Sequence, residues 1–188
     1  PLASVSVGHG KSICQLPDGH IEEKMVDDNY PVHQVISDFL HRFEITGENS
    51  EYCGLYGYTS FNAVRYFEHI AVKDATLEKN DAPDLLYILY KNVIVFDHYN
   101  NTLKIIELLA DGATGHLDDI EKRIRQSNVR IYDFKPVGET TSTLTDEQHK
   151  ENIRKGIQHC LRGDVFQLVL SRRFVQPYEG DDFKLYRA

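Results

Sequence analysis

The stretch Gly163-Asp164-Val165-Phe166-Gln167-Leu168-Val169-Leu170-Ser171-Arg172-Arg173-Phe174 changes side with almost every residue. Phe166, Leu168, Leu170 and Phe174 fall on one face of an extended chain, and Val165, Gln167, Val169, Ser171 and Arg173 on the other. That is the period-2 pattern of a strand lying between two different surroundings. Arg172 interrupts the apolar row. An unpaired buried charge is very costly, so either the strand is exposed at that end or a carboxylate meets the guanidinium there.

Working outward, residues 145–163 read as a helix that feeds this strand. Thr145 is its cap, Gln148 three residues on completes a capping box, and Gly163 ends it. Cys160 falls on the helix's apolar side and is expected to be a small core residue. Before the helix, residues 135–144, with Pro136, Gly138 and a Thr/Ser cluster, have the composition of a linker, and a domain boundary is expected there, dividing the chain into 1–139 and 140–188.

Upstream, residues 116–125 predict a charged helix with Leu117, Ile120 and Ile124 inward. Residues 85–97 and 103–109 predict a long hairpin turning at Asn100-Asn101, preceded by a turn at Asp81-Ala82-Pro83-Asp84. Residues 60–67 predict a short helix capped by Ser60, with Arg65 and Glu68 as a local pair. Residues 52–58 predict a strand or turn in which Gly54 and Gly57 admit a close neighbour, with Tyr56, Tyr58, Tyr66 and Phe67 clustered beside it. Residues 31–43 carry Val32, Val35, Ile36, Phe39, Leu40 and Phe43 at helical spacing after Pro31. Residues 3–7 and 12–16 predict a hairpin around Gly8-His9-Gly10, followed by a turn at Pro17-Asp18-Gly19-His20. Hairpins and helices without regular strand-helix alternation indicate an α+β fold, mostly antiparallel, with flanking helices.

The length of 188 residues suffices for one sizeable core or a domain and a half, and 27% charged with 41% hydrophobic residues is the balance of a soluble globular chain. No membrane span or signal peptide is read, so a cytoplasmic protein is expected. The net charge of -8, with lysines and arginines scattered, argues against a nucleic-acid partner. The three cysteines and nine histidines show neither a disulfide framework nor a metal-ligand pattern.

The stretch 163–174 resembles the start of the chorismate-binding domain of anthranilate synthase component I, a chorismate-utilising enzyme family whose signature reads Gly-Asp-(Ile/Val)-Phe-Gln-(Val)-Val-Leu-Ser-Arg-Arg-Phe. Leu168 is the mild departure. A second block, Gly54-Leu55-Tyr56-Gly57-Tyr58-Thr59-Ser60-Phe61-Asn62-Ala63-Val64-Arg65-Tyr66-Phe67-Glu68, is similar to the family's Gly-Tyr-x-Ser-Tyr-Asp-Ala-Val-Arg-Tyr-Phe-Glu, with Phe61 and Asn62 standing for Tyr and Asp. A third is Asn92-Val93-Ile94-Val95-Phe96-Asp97-His98-Tyr99.

The resemblance implies that 1–139 is the family's amino-terminal domain, its start missing, and 140–188 the beginning of the chorismate-binding domain. Residues 183–188 resemble that domain's next helix, cut in its first turn. It implies an enzyme that turns chorismate and ammonia into anthranilate and pyruvate with magnesium, beside a glutaminase subunit, with tryptophan as a feedback inhibitor. The family's Leu-Leu-Glu-Ser and Asn-Pro-Ser-Pro-Tyr inhibitor motifs are not found in this chain. Its catalytic histidine and magnesium ligands would lie after Ala188, so no catalytic or metal residue is assigned and the piece alone is expected to be inactive. Gln167 occupies the place where water-adding relatives carry a lysine, and Arg172 and Arg173 are candidates for the substrate's carboxylates. The alternatives are aminodeoxychorismate synthase component I of the folate pathway, and a non-catalytic regulatory or glutaminase-docking domain.

Overall fold

A computed structural model of the chain describes residues 1–72, 82–110, 112–126 and 132–188. These form two compact units, Pro1–Ser127 and Asn128–Ala188. Among the described residues, no helix is long and apolar enough to cross a membrane.

The first unit is built on an antiparallel five-stranded sheet in the order β3-β2-β1-β5-β4. Its strands are β1 (Ala3–Gly8), β2 (Lys11–Gln15), β3 (Ile21–Met25), β4 (Leu55–Thr59) and β5 (Leu85–Leu89). The expected hairpin joins β1 to β2 through His9 and Gly10, whose φ values of 51° and 72° are those of a two-residue turn matched to strand twist. The turn after β2 leads into β3, a strand that sequence reading omits because Glu22, Glu23 and Lys24 leave it almost no apolar alternation. Such charges suit an edge strand.

Ala3, Val5 and Val7 alternate inward along β1. They meet Leu85 and Leu89 of β5 and the helix α1 (Val32–Leu40), which buries Val32, Val35 and Phe39. The helix is that expected from residues 31–43, shortened at its end. Pro31 stands just outside it as the capping residue in extended conformation. The 3₁₀ turn Phe61–Tyr66 adds fully buried Ala63 to the core.

Ser60 precedes that turn, but its hydroxyl caps nothing and is buried without a hydrogen-bond partner among the described residues. The Ala63 amide, which a capping hydroxyl would take, donates instead to the Ser60 carbonyl at 3.2 Å. Arg65 lies beside Asp84, its Nε 4.0 Å from the carboxylate and donating to Asn62 O at 3.1 Å.

The expected strand 85–97 divides in two. Leu89 sits opposite Ala3 and Leu55, the first residues of β1 and β4, so both ladders of β5 run out there. The chain leaves the sheet at Tyr90-Lys91 and resumes as β6 (Asn92–Asp97), which among the described residues pairs only with β7 (Thr102–Glu107). Asp97 organises the connecting turn by accepting the amides of Tyr99 and Asn100 at 2.9 and 3.1 Å. Helix α2 (Leu117–Gln126) lies against β7 with Leu117 and Ile124 beside Leu103 and Ile105, though both remain partly exposed. Part of the turn expected before β5, at Asp81, lies outside the described residues.

The second unit contains β8 (Phe134–Pro136), β9 (Thr141–Ser142), α3 (Asp146–Leu161), β10 (Phe174–Val175), β11 (Tyr178–Gly180) and α4 (Asp182–Arg187). β8 pairs with β11 and β9 with β10. Residues 135–144, expected as a linker, thus supply paired strands of this unit, and the division between compact units falls earlier, at Ser127.

Candidate functional site

Helix α3 is closed at both ends by its own sequence. Thr145 Oγ1 accepts the Gln148 amide at 3.2 Å, and Gln148 Oε1 accepts the Thr145 amide at 2.9 Å. At the other end Gly163, with φ of 79°, donates to Cys160 O at 3.1 Å and Asp164 donates to His159 O at 3.0 Å. This double bond pattern is the one a left-handed glycine permits. The turn sends residues 164–173 back across the helix. Gly156, the buried residue of α3, makes room for them, because a Cβ there would stand 2.9 Å from Leu168 Cδ2.

The continuous strand expected over 165–174 is not formed. Only Phe174–Val175 pairs, and its partner β9 offers two residues. A strand needs a neighbour to take its amides and carbonyls, and among the described residues no strand pairs with 164–172. The two faces are not separated by burial. Leu168 and Leu170, 44% and 38% exposed, join Ile153, Ile157, Cys160 and Leu161 along an apolar groove of about 370 Å³ on α3, while on the other face Gln167, Val169 and Arg173 are exposed as well and Val165 is half-buried. Phe166 departs from its row and is fully exposed. Cys160 lies on the apolar side as expected, yet it is exposed rather than a core residue.

Arg172 turns toward the start of α3. Its side chain is only 17% exposed, its Nη1 lies 2.5 Å from Asp146 Oδ1, and its Nε donates to Ser142 Oγ at 2.7 Å. The guanidinium carbon stands 4.5 Å above the Phe174 ring. Of the two alternatives the sequence pattern left, a carboxylate partner is the one formed, and it is Asp146. Its carboxyl is held below the ordinary range by the hydrogen bond and charge of Arg172. Arg173 is anchored by its backbone: its amide donates to Thr143 Oγ1 at 3.3 Å and its carbonyl accepts the Thr143 amide at 3.1 Å. Gln167 makes no side-chain hydrogen bond among the described residues.

At the far end of α3, Asp164 Oδ2 meets His159 Nδ1 at 2.7 Å and accepts from Arg162 Nη2 at 2.8 Å. These contacts, His159 first, lower the Asp164 pKa. Among the described residues, no group of three or more His, Cys, Asp or Glu side chains is placed to hold a metal ion.

The first unit holds two polar clusters that sequence reading did not find. Between α1 and the sheet, Arg42 donates to both oxygens of Glu22 at 2.7 Å, and Tyr30 Oη and Gln34 Nε2 donate to Asp38 at 2.9 and 2.6 Å. Burial first, then Asp38, pushes the Tyr30 pKa up to about 12. Elsewhere Glu107, its side chain 2% exposed, accepts the His116 amide at 2.6 Å and faces Lys91 at 3.3 Å. The His116 amide is the first cause of its lowered pKa. Only Gln34 with Asp38 has a local spacing signal; the other partners are set by the fold. In the tyrosine block, Tyr66 packs on the core and donates to Asp84 at 3.0 Å, whereas Tyr56, Tyr58 and Phe67 remain exposed.

The chorismate binding enzyme family model matches residues 6–188. Anthranilate synthase alpha subunit 2 of Arabidopsis thaliana is 31% identical over 189 residues, covering 88% of this chain and 30% of its own length. Anthranilate synthase component 1 of Acinetobacter calcoaceticus is 29% identical over 183 residues, covering 93% of this chain and 35% of its own. The chain thus spans about a third of the length of these curated relatives. Among solved structures, anthranilate synthase component I from Streptococcus pneumoniae TIGR4 aligns with 100% of this chain and 42% of that chain, at a TM-score of 0.59 and 18% identity, which is a likeness of fold. With the family model covering nearly all of its residues, the chain belongs to the chorismate binding enzymes.

Proposed function

We propose that this chain is part of an anthranilate synthase large subunit, which adds ammonia to chorismate and eliminates pyruvate to leave anthranilate in tryptophan biosynthesis. The observation that carries the reading is Gln167 within the stretch 163–174. Relatives that add water resemble this stretch but hold a lysine there, to activate the water as a general base. An amide cannot serve in that way, because its nitrogen lone pair is delocalised. Ammonia is already basic and needs no such group.

On this reading the full enzyme works in the cytoplasm with magnesium, takes ammonia from a glutaminase subunit and is a candidate for tryptophan feedback. Its catalytic groups lie on segments other than residues 1–188, so this piece by itself makes no anthranilate. The test is anthranilate fluorescence from chorismate, magnesium and ammonium, run on the full-length protein and on residues 1–188 in parallel. Product from the full-length protein alone supports the reading. Product from residues 1–188 overturns the placement of the catalytic groups, and an aminodeoxychorismate product, or none from either protein, overturns the anthranilate assignment.

A further inference from the structure

Residues 164–173 carry the family signature, yet among the described residues no strand pairs with them. The contacts that hold their far end converge on one short run. Ser142 Oγ accepts from Arg172 while donating to Leu144 O at 2.9 Å, Thr143 exchanges two hydrogen bonds with the Arg173 backbone, and Asp146 meets the Arg172 guanidinium. Asp146 is also the first residue of α3, directly after the cap Thr145. Its backbone position is therefore set by the capping box, and its side chain, 72% exposed, is held by Arg172.

We propose that Asp146, supported by Ser142, is a positioning residue for the signature segment. By clamping Arg172 against the start of α3 and the Phe174 ring, it fixes the line along which Gln167 is presented. Arg172 is then the segment's lock: its Nε is committed to Ser142, its Nη1 to Asp146 and one face to Phe174, while its Nη2 makes no hydrogen bond among the described residues. The kinetic part of this inference rests on the reading proposed above, whereas the structural part does not.

The test uses the full-length protein with Asp146→Ala, Arg172→Ala and the double variant, followed by hydrogen exchange and by kinetics. The expected result is that each single variant speeds exchange of the Thr143 and Arg173 amides by about tenfold, the loss of one hydrogen bond to a charged group. The double variant adds nothing further, and the middle of α3 is unchanged. In the same proteins kcat falls while KM for chorismate stays put, and Asp146→Asn, which keeps an acceptor oxygen, recovers part of both losses. If Asp146→Ala fails to fold, Asp146→Asn and Arg172→Lys carry the same comparison. Unchanged Thr143 and Arg173 exchange in the Asp146 variants overturns the clamp. A KM increase specific to the Arg172 variants overturns the lock in favour of a substrate contact. If the full-length protein makes no anthranilate, the exchange result still decides the clamp, and only the proposed function fails.

Discussion

Gly57 decides how closely β4 lies on β5. A Cβ at that position would come within 1.8 Å of Leu86 O, a backbone atom that cannot step aside as a side-chain tip can. Gly57→Ala is expected to destabilise the protein by about 3 kcal/mol through overpacking, read as a lower midpoint in urea. The close approach was legible from the glycine in a strand pattern, but the same reasoning at Gly54 is unsupported, since a Cβ there would meet nothing within 4 Å. Tyr30 offers a pH test. Its pKa is raised from 10.0 to about 12, so the folded state favours the neutral phenol, and that stabilisation is complete below pH 10 and lost as pH rises through about 12. Phenolate absorbance should show a late titration step that Tyr30→Phe removes. Gln167 is exposed, so Gln167→Ala should leave the melting temperature unchanged, and on the function proposed above it should lower anthranilate formation by the full-length protein about tenfold, the loss expected for one hydrogen bond to a charged group. Arg172 marks the limit of residue-level reading: the pattern allowed either an exposed end or a carboxylate partner and could not name Asp146, which follows from how 164–173 returns along α3.

At the scale of elements, α1 and α3, whose signals are local, came out as read, whereas the equally local cap expected at Ser60 did not form. The capping box of α3 is present in full, and Thr145→Ala should cost about 1 kcal/mol, measured by chemical denaturation. The spacing of Val32, Val35 and Phe39 named the buried face of α1, and Phe39→Ala should destabilise the first unit by about 3–5 kcal/mol because its ring is almost wholly buried. The strands were less legible. Residues 85–97 have one unbroken apolar composition, but the lengths of β1 and β4 decide where β5 must stop. Residues 165–173 alternate as a strand should, yet without a pairing neighbour among the described residues the pattern yields only a two-residue strand.

Across the whole molecule, the carboxyls of Glu22, Asp38, Asp97, Glu107, Asp146 and Asp164 all titrate below their ordinary values, each held there by hydrogen bonds or cations. A depressed folded pKa stabilises above the unfolded value and is lost as pH falls through the folded one. Thermal melts should therefore keep a steady midpoint from neutral pH to roughly pH 4 and lose it below that. The net charge of -8 and scattered cations argue against a nucleic-acid partner without any structure, because that argument needs only composition. Family membership was equally available from the linear chain, since the blocks at 54–68 and 163–174 are contiguous residues. The chain by itself determined what neighbours in sequence can settle: the His9-Gly10 hairpin, α1, the two ends of α3 and the mostly antiparallel α+β class. Only the tertiary structure decided that β1 lies between β2 and β5, that residues 85–97 break at Tyr90, that Thr141–Ser142 is a paired strand, and which carboxylate holds Arg172. Each of these rests on a partner distant in sequence, and side-chain spacing within a segment carries no information about which distant segment will supply its hydrogen bonds.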